Sequence, residues 1–438
     1  MKFNKIPFVL LSACIFSGLT PLTSWADVND VNRQGTELLQ KNQAVNAYEL
    51  LLNSYSAGEY DNQTLFLLGK SAELSGKLPE AERYYKTLLE RDPNAGRIRL
   101  ELASVLYKNG DFESAKKELL RVRDMNPPKQ VGENIEQFLA AIEAGLKTYW
   151  SANASIGWMY DTNANAGPDS DTALMFGLPF LLSTDAKEEN DDAWVLRFGV
   201  NHAKPFNGRA SWQSSANVSW TDYSTLHRLD AMSLALSSGP TFQTGNDAVW
   251  SLPVIADLQT IGHSQSYYSV NYGVAPQYQK RIAEEWIARG SFSLSEKHYY
   301  DNGSRDTIRW SLSPALRYLV GKNSYVEGGA SVGRENSGLD IYSNDFETVS
   351  LSYYTTFNKN WSFYLSPSYT FKNYEEQEAA YSEKRKDEVF NATANLAFFI
   401  ESIKSNLTLS YTYTNNYSNV DIYQYDRTQT MLTLSKSF

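Results

Sequence analysis

His202, His227, His263 and His298 are the residues best suited to metal binding or proton transfer, and each stands alone in the sequence. No HxH, no HExxH and no His/Cys pair at ligand spacing occurs, so the sequence supplies no metal site and no cofactor. GxSxG and GxxxxGK[ST] are also absent, and no nucleophile and base can be paired by spacing. The chain is therefore expected not to be an enzyme. Three arginines are more informative. Arg197, Arg289 and Arg317 sit mid-segment, in phase with Val195/Gly199, Ser291/Ser293 and Ser313/Ala315. A charge at mid-height of a membrane wall is costly toward lipid, so these side chains are expected to face a wet interior. There they would tune a pore as solvated lumen charges, or touch a passing substrate.

The segments that carry these arginines define the C-terminal part, 149–438. Trp212, Ser214, Ala216, Val218 and Trp220 alternate with Gln213, Ser215, Asn217, Ser219 and Thr221. Leu407, Leu409, Tyr411 and Tyr413 alternate with Thr408, Ser410 and Thr412. A period of two gives strands with unlike faces. Many long strands with aromatics near their ends predict an antiparallel transmembrane β-barrel of about fourteen strands, with twelve or sixteen open if one hairpin is misread. A soluble sandwich would show shorter strands and a polar exterior. The predicted strands are 150–160, 192–203, 209–223, 229–242, 246–259, 266–281, 284–299, 305–320, 323–336, 344–358, 360–374, 385–401, 404–415 and 424–438. Their connections alternate between long and tight, as such barrels require. The final strand ends on Phe438, which resembles the signal read by the general barrel assembly machinery. The first connection, Asp161–Asp191, contains an apolar stretch from Gly177 to Leu182 that is expected to pack into the barrel mouth.

Residues 27–148 follow a different rule. Gly35, Gly69 and Ala103 are 34 residues apart, as are Ala47, Ala81 and Ala115. Gly76 and Gly110, Leu68 and Leu102, and Pro93 and Pro127 repeat the interval. This is the spacing of tetratricopeptide (TPR) repeats, so a helical solenoid is predicted, with 62–94 and 95–128 as its clearest units. The first unit, near Val31–Tyr60, reads as degraded and capping, and Val131–Leu146 as one further helix. A solenoid of this kind presents a groove suited to a peptide or another protein.

Residues 1–26 read as a secretory signal: Lys2 and Lys5, an apolar run from Ile6 to Leu19, and Ser24-Trp25-Ala26 before the cut. Cys14 lies inside the apolar run, which argues against lipidation there, and without the leader the chain has no cysteine. Removing two lysines leaves a formal charge of 38 − 50 = −12. Nucleic acid is accordingly not an expected partner. No later run is apolar and long enough for a helical span. A secreted barrel protein is expected in an outer membrane, in contact with its lipid, with the helical domain in the periplasm.

The order of leader, short TPR set and barrel resembles the surface lipoprotein assembly modulator (Slam) family. The stretch Ile156-Gly157-Trp158-Met159-Tyr160-Asp161-Thr162-Asn163-Ala164-Asn165 is similar to that family's first strand, which leaves the lipid zone through a Tyr-Asp-x-Asn-x-Asn element. The resemblance implies a translocator that exports lipoproteins or related secreted proteins to the cell surface. The repeats would engage the substrate or a periplasmic chaperone, and the barrel would provide the route. Asp161, Asn163 and Asn165 are the positions it marks as functionally exposed, although Asn and Asp also suit a turn there. A porin, or an exporter of polysaccharide or fibres with a TPR adaptor, is the other reading the architecture leaves open.

Overall fold

The structure, a computed structural model, describes residues 28–245 and 247–438. The expected leader, with Cys14 and Ala26, lies outside them. The chain divides into two compact units, Met1–Glu136 and Gln137–Phe438.

The first unit is helical. Its helices are α1 (Val28–Gln40), α2 (Ala44–Ser56), α3 (Asn62–Leu74), α4 (Leu78–Arg91), α5 (Gly96–Lys108) and α6 (Phe112–Arg123), and α7 (Lys129–Gly145) follows. The odd helices α1, α3 and α5 begin at 28, 62 and 96, and the even ones at 44, 78 and 112, so both series keep the interval of 34. The first unit therefore holds the same frame as the others, although its sequence reads as degraded. The small residues explain the repeat. A Cβ on Gly69 would lie 2.5 Å from the Tyr85 ring, so α3 and α4 approach closely only because no side chain intervenes. Ala47, Ala81, Ala103 and Ala115 are fully buried. Asp61 caps α3: its carboxylate accepts from Thr64 N–H, and the Thr64 hydroxyl accepts in return from Asp61 N–H.

The second unit is a closed, antiparallel, up-and-down barrel of fourteen strands. These are β1 (Tyr149–Asp161), β2 (Asp191–Asn207), β3 (Ala210–Tyr223), β4 (Ala231–Thr244), β5 (Ala248–Ser251 and Val254–Ile261), β6 (Ser266–Val274 and Gln277–Arg281) and β7 (Trp286–Tyr299). The circuit continues with β8 (Thr307–Val320), β9 (Ser324–Ser337), β10 (Asn344–Thr356), β11 (Trp361–Tyr374), β12 (Lys386–Ile400), β13 (Ser405–Ser418) and β14 (Tyr425–Ser437). Closure is by β1 against β14, paired from Asn153↔Ser437 to Asp161↔Gln429. Two strands are interrupted side by side, β5 at Leu252-Pro253 and β6 at Ala275-Pro276, because proline cannot donate to the ladder. At the first break a Cβ on Gly239 of β4 would meet the Leu252 carbonyl at 2.3 Å.

The outer face is apolar, with Trp310, Leu312, Leu316, Tyr318 and Val320 of β8 exposed in alternation. All nine tryptophans of the described residues are exposed. They fall into two belts. Trp150, Trp212, Trp250, Trp286 and Trp361 lie toward the end where β1 begins and β14 finishes, and Trp158, Trp194, Trp220 and Trp310 toward the opposite end. Eight residues separate Trp150 from Trp158. That is about 26 Å along the strand and about 20 Å along the axis at a tilt of about 40°. Two aromatic belts bounding an apolar band identify a surface immersed in a bilayer. Among the described residues no helix is long and apolar enough to cross a membrane.

The inner face is lined by small polar side chains that bond across strands. Ser293 pairs with Ser311 at 2.8 Å, Ser313 with Ser331 at 2.9 Å and Thr348 with Thr370 at 2.9 Å. The strands thus turn their hydroxyls toward one another and leave few deep anchors on the wall.

Candidate functional site

Three places on this frame bring polar chemistry together. The first is the end of the barrel where β1 finishes and runs into the Asp161–Asn165 element. Asp161 faces inward at the end of β1, directly beside β14. Arg427 of β14 reaches it with two nitrogens, Nε lying 2.9 Å from Oδ1, and Gln429 Nε2 donates to Oδ2 at 2.8 Å. The Tyr223 hydroxyl of β3 lies 3.5 Å away. Asp161 Oδ1 also accepts from Asn163 N–H at 3.1 Å.

Asn163 is fully buried. Its Nδ2 donates to the carbonyls of Gly167 (2.8 Å) and Asp426 (3.0 Å), and its Oδ1 accepts from Gly167 N–H at 2.9 Å. Asn165 ties the far side of the same connection, its Oδ1 accepting from Glu189 N–H at 3.1 Å and its Nδ2 donating to the Lys187 carbonyl at 2.5 Å.

Asp161 and Asn163 are therefore buried, where the sequence resemblance marked exposed positions. The reason is chemical: Asx side chains that bond backbone two to four residues on serve the turn before they serve a ligand. The element is a clasp. It fixes the long connection to the β1–β14 seam, over a small core of Met159, Ala164, Ala193, Val195 and Tyr223.

The connection itself contains a hairpin, Thr172–Met175 against Leu178–Leu181. Leu174, Phe176, Leu178, Phe180 and Leu181 remain exposed, so the apolar stretch is not packed away as expected. Phe176 N–H donates instead to the Ala380 carbonyl at 2.7 Å, docking the hairpin on the connection between β11 and β12.

The lumen is the second place. Arg197 stands in register between Ser155 and Ser219 and points inward. Arg289 and Arg317 converge on Glu327 of β9: Arg289 Nη1 lies 3.0 Å and Arg317 Nε 2.8 Å from Oε2. Arg317 also stacks over the Tyr325 ring at 4.0 Å. The expected inward direction holds for all three arginines, but two are bound to a carboxylate, which makes a compensated patch instead of free positive charge. Glu327 was not singled out from the sequence; its in-phase position across from Arg317 is the signal that could have found it. Beside the patch, Arg289, Gln277, Gln279, Ser291, Ser313 and Ser350 help line a recess of about 510 Å³ on the inner wall.

The third place is on α3 and α5. The Glu73 carboxylate is buried and receives Lys108 Nζ at 2.6 Å, Lys70 Nζ at 3.1 Å and the Ser104 hydroxyl at 3.2 Å, while Lys70 also bonds Glu101 at 2.9 Å. Burial raises the Glu73 carboxyl, but the bonds from Lys108 and Lys70 outweigh it and hold it below the ordinary carboxylate range. These ties link consecutive repeats, since Lys70 and Ser104 occupy equivalent positions.

Phe438 N–H donates to the Ala152 carbonyl at 2.8 Å, and its ring is exposed with Lys436 Nζ 5.7 Å from its centroid. Of the histidines, His227 and His263 lie against one carboxylate, Asp230, while His298 bonds Asp306 at 3.0 Å and His202 packs on Trp150.

Comparison with known proteins agrees with this division. Residues 150–438 match the family model described as surface lipoprotein assembly modifier, and residues 32–119 match its N-terminal TPR repeats. The chain is 21% identical over 421 residues to the surface lipoprotein assembly modifier of Pasteurella multocida (strain Pm70), covering 91% of this chain and 81% of that protein. It is 22% identical over 388 residues to surface lipoprotein assembly modifier 1 of Neisseria meningitidis serogroup B, covering 85% and 75%. Among solved structures, the outer membrane channel DcaP of Acinetobacter baumannii covers 68% of this chain at 12% identity and a TM-score of 0.40.

Proposed function

This chain belongs to the surface lipoprotein assembly modifier family, and on that premise we propose that it is an outer-membrane translocator that promotes surface display of lipoproteins or related secreted proteins. The observation that carries the reading is the pairing, in one chain, of a helical repeat unit with a closed barrel whose inner wall is built from small, mutually bonded hydroxyls. Such a wall wets a polypeptide without holding it at any one point. The reading puts the helical unit in the periplasm, because the chain enters β1 and leaves β14 at the barrel end with the tight turns at 208–209 and 321–323, while the larger connections 162–190 and 375–385 lie at the other end. The repeats engage the passenger or a chaperone that delivers it, and the barrel assembly machinery inserts the protein. Folding of the passenger outside supplies the drive. The role assigned here is transport, with no catalytic step. The exposed apolar hairpin at 172–181 offers a first surface to a passenger as it emerges.

The test deletes the gene and labels a candidate lipoprotein on intact cells. Loss of surface label with total lipoprotein unchanged is the expected result, and restoration requires both units in one chain. Unchanged labelling defeats the assignment.

A further inference from the structure

We propose that His227, Asp230 and His263 form a binding site for one divalent d-block cation, zinc by preference, at the end of the barrel where β3 and β5 finish. The three residues come from two connections, 224–230 between β3 and β4 and 262–265 between β5 and β6. Their ligand atoms all lie within 4.8 Å of one another. His227 Nδ1 is 3.5 Å and His263 Nδ1 is 3.4 Å from the same oxygen, Asp230 Oδ2. Tetrahedral ligands at about 2.0–2.1 Å from zinc stand about 3.3 Å apart, so the two imidazole–carboxylate separations match a shared cation, and the exposed rings turn toward each other to close the third side. They are long for direct imidazole–carboxylate hydrogen bonds. Two imidazoles and a carboxylate are also the ligand types zinc takes in open sites.

The ligands are positioned by their surroundings. The other Asp230 oxygen accepts from Tyr223 N–H at 2.8 Å, which aims Oδ2 at the two rings, and the Asp230 side chain is only 2% exposed. His227 opens a short 3-10 turn, His227–Leu229, whose flanking Leu226 and Leu229 pack on the core below. Asp191 Oδ2 accepts from Thr225 and Leu226 N–H at 2.9 and 2.8 Å and fixes that connection from the other side. His263 follows Gly262, which has φ +80° and donates its N–H to the Asp230 carbonyl at 2.8 Å. A side chain at 262 would disfavour that left-handed turn and move the ring.

The His227 and His263 side chains are 52% and 80% exposed, so the fourth position of the cation faces solvent and takes a water or a side chain of a partner. The bound cation clips the two connections together. Sequence spacing does not reveal the site, because the two histidines lie in different connections and meet only when β4 and β5 pair.

The test titrates zinc sulfate into the full-length, chelator-stripped protein in detergent by calorimetry. One saturable site is expected. His227→Ala/His263→Ala, with unchanged folded-band mobility on unheated gels, is expected to weaken it at least roughly tenfold, about 1.4 kcal/mol. His202→Ala is expected to bind as the unsubstituted protein does. The absence of saturable binding, or equal affinity in the double variant, overturns the proposal. A second measurement needs no variant: zinc is expected to protect His227 and His263, and not His202, from acylation by diethylpyrocarbonate read by mass spectrometry. Equal modification with and without zinc also overturns it.

Discussion

Replacing Arg427 by alanine tests whether the buried ion pair at the β1–β14 seam holds the barrel shut. Asp161 is 0% exposed and Arg427 24% exposed in their side chains. Removing one partner of a buried pair costs about 3–5 kcal/mol, because the remaining charge is stranded. Here the Asp161 carboxylate keeps the Gln429 amide at 2.8 Å and the Asn163 N–H at 3.1 Å, and water reaches the vacated space from the barrel mouth. These partners reduce the expected loss to about 2–3 kcal/mol. With a guanidinium slope of about 5 kcal/mol/M, the unfolding midpoint in detergent falls by about 0.5 M, read by tryptophan fluorescence. Arg427→Lys should lie between, since an ammonium cannot make the forked contact. The neutral pair Asp161→Asn/Arg427→Gln should regain more than half of the loss. A midpoint for Arg427→Ala within about 0.1 M of the unsubstituted protein would refute the claim that this pair carries the seam.

Three further outcomes follow from the same geometry. Gly69→Ala places a methyl against the Tyr85 ring and should destabilise the helical unit by about 1–3 kcal/mol, seen as an earlier loss of the helical circular-dichroism signal on heating; Tyr85→Leu in the same chain should recover part of it. The Glu73 carboxyl titrates below its ordinary value of 4.5 when folded, so its contribution is complete above pH 4.5 and disappears as pH falls through the lower folded value; melts of Glu73→Gln should lack that acid-side slope. Leu178→Ser/Phe180→Ser/Leu181→Ser changes only exposed side chains and should leave the barrel stability within about 0.5 kcal/mol, checked by the same guanidinium titration.

The parts of the fold legible in the sequence are those set by a short period. The interval of 34 marks Gly69 as a repeat position, and alternation puts Arg197, Arg289 and Arg317 on the inner wall. What escaped depends on pairing between distant segments. Pro253 and Pro276 were visible inside two predicted strands, yet both strands read as continuous, because alternation persists on either side of each break. Asp161 and Asn163 read as exposed because a loop of Asx residues looks solvated until its backbone partners are known; Arg427, the residue that buries Asp161, lies at the other end of the barrel sequence. The His227–His263 approach was hidden for the same reason, since each histidine is isolated along the chain.

The interruptions in β5 and β6 make the wall mechanically uneven. Across them, single bonds remain from Leu252 N–H to the Pro240 carbonyl, from Ala275 N–H to Pro253 and from Phe292 N–H to Pro276, at 2.9–3.0 Å, and the three prolines return none. The β1–β14 junction, by contrast, is laddered without a gap and locked by an ion pair at its rim. A bulky cargo pressing outward from within would therefore strain the cylinder first along β4–β7. Compliance in this barrel is concentrated on a flank far from the point where the chain closes its circle.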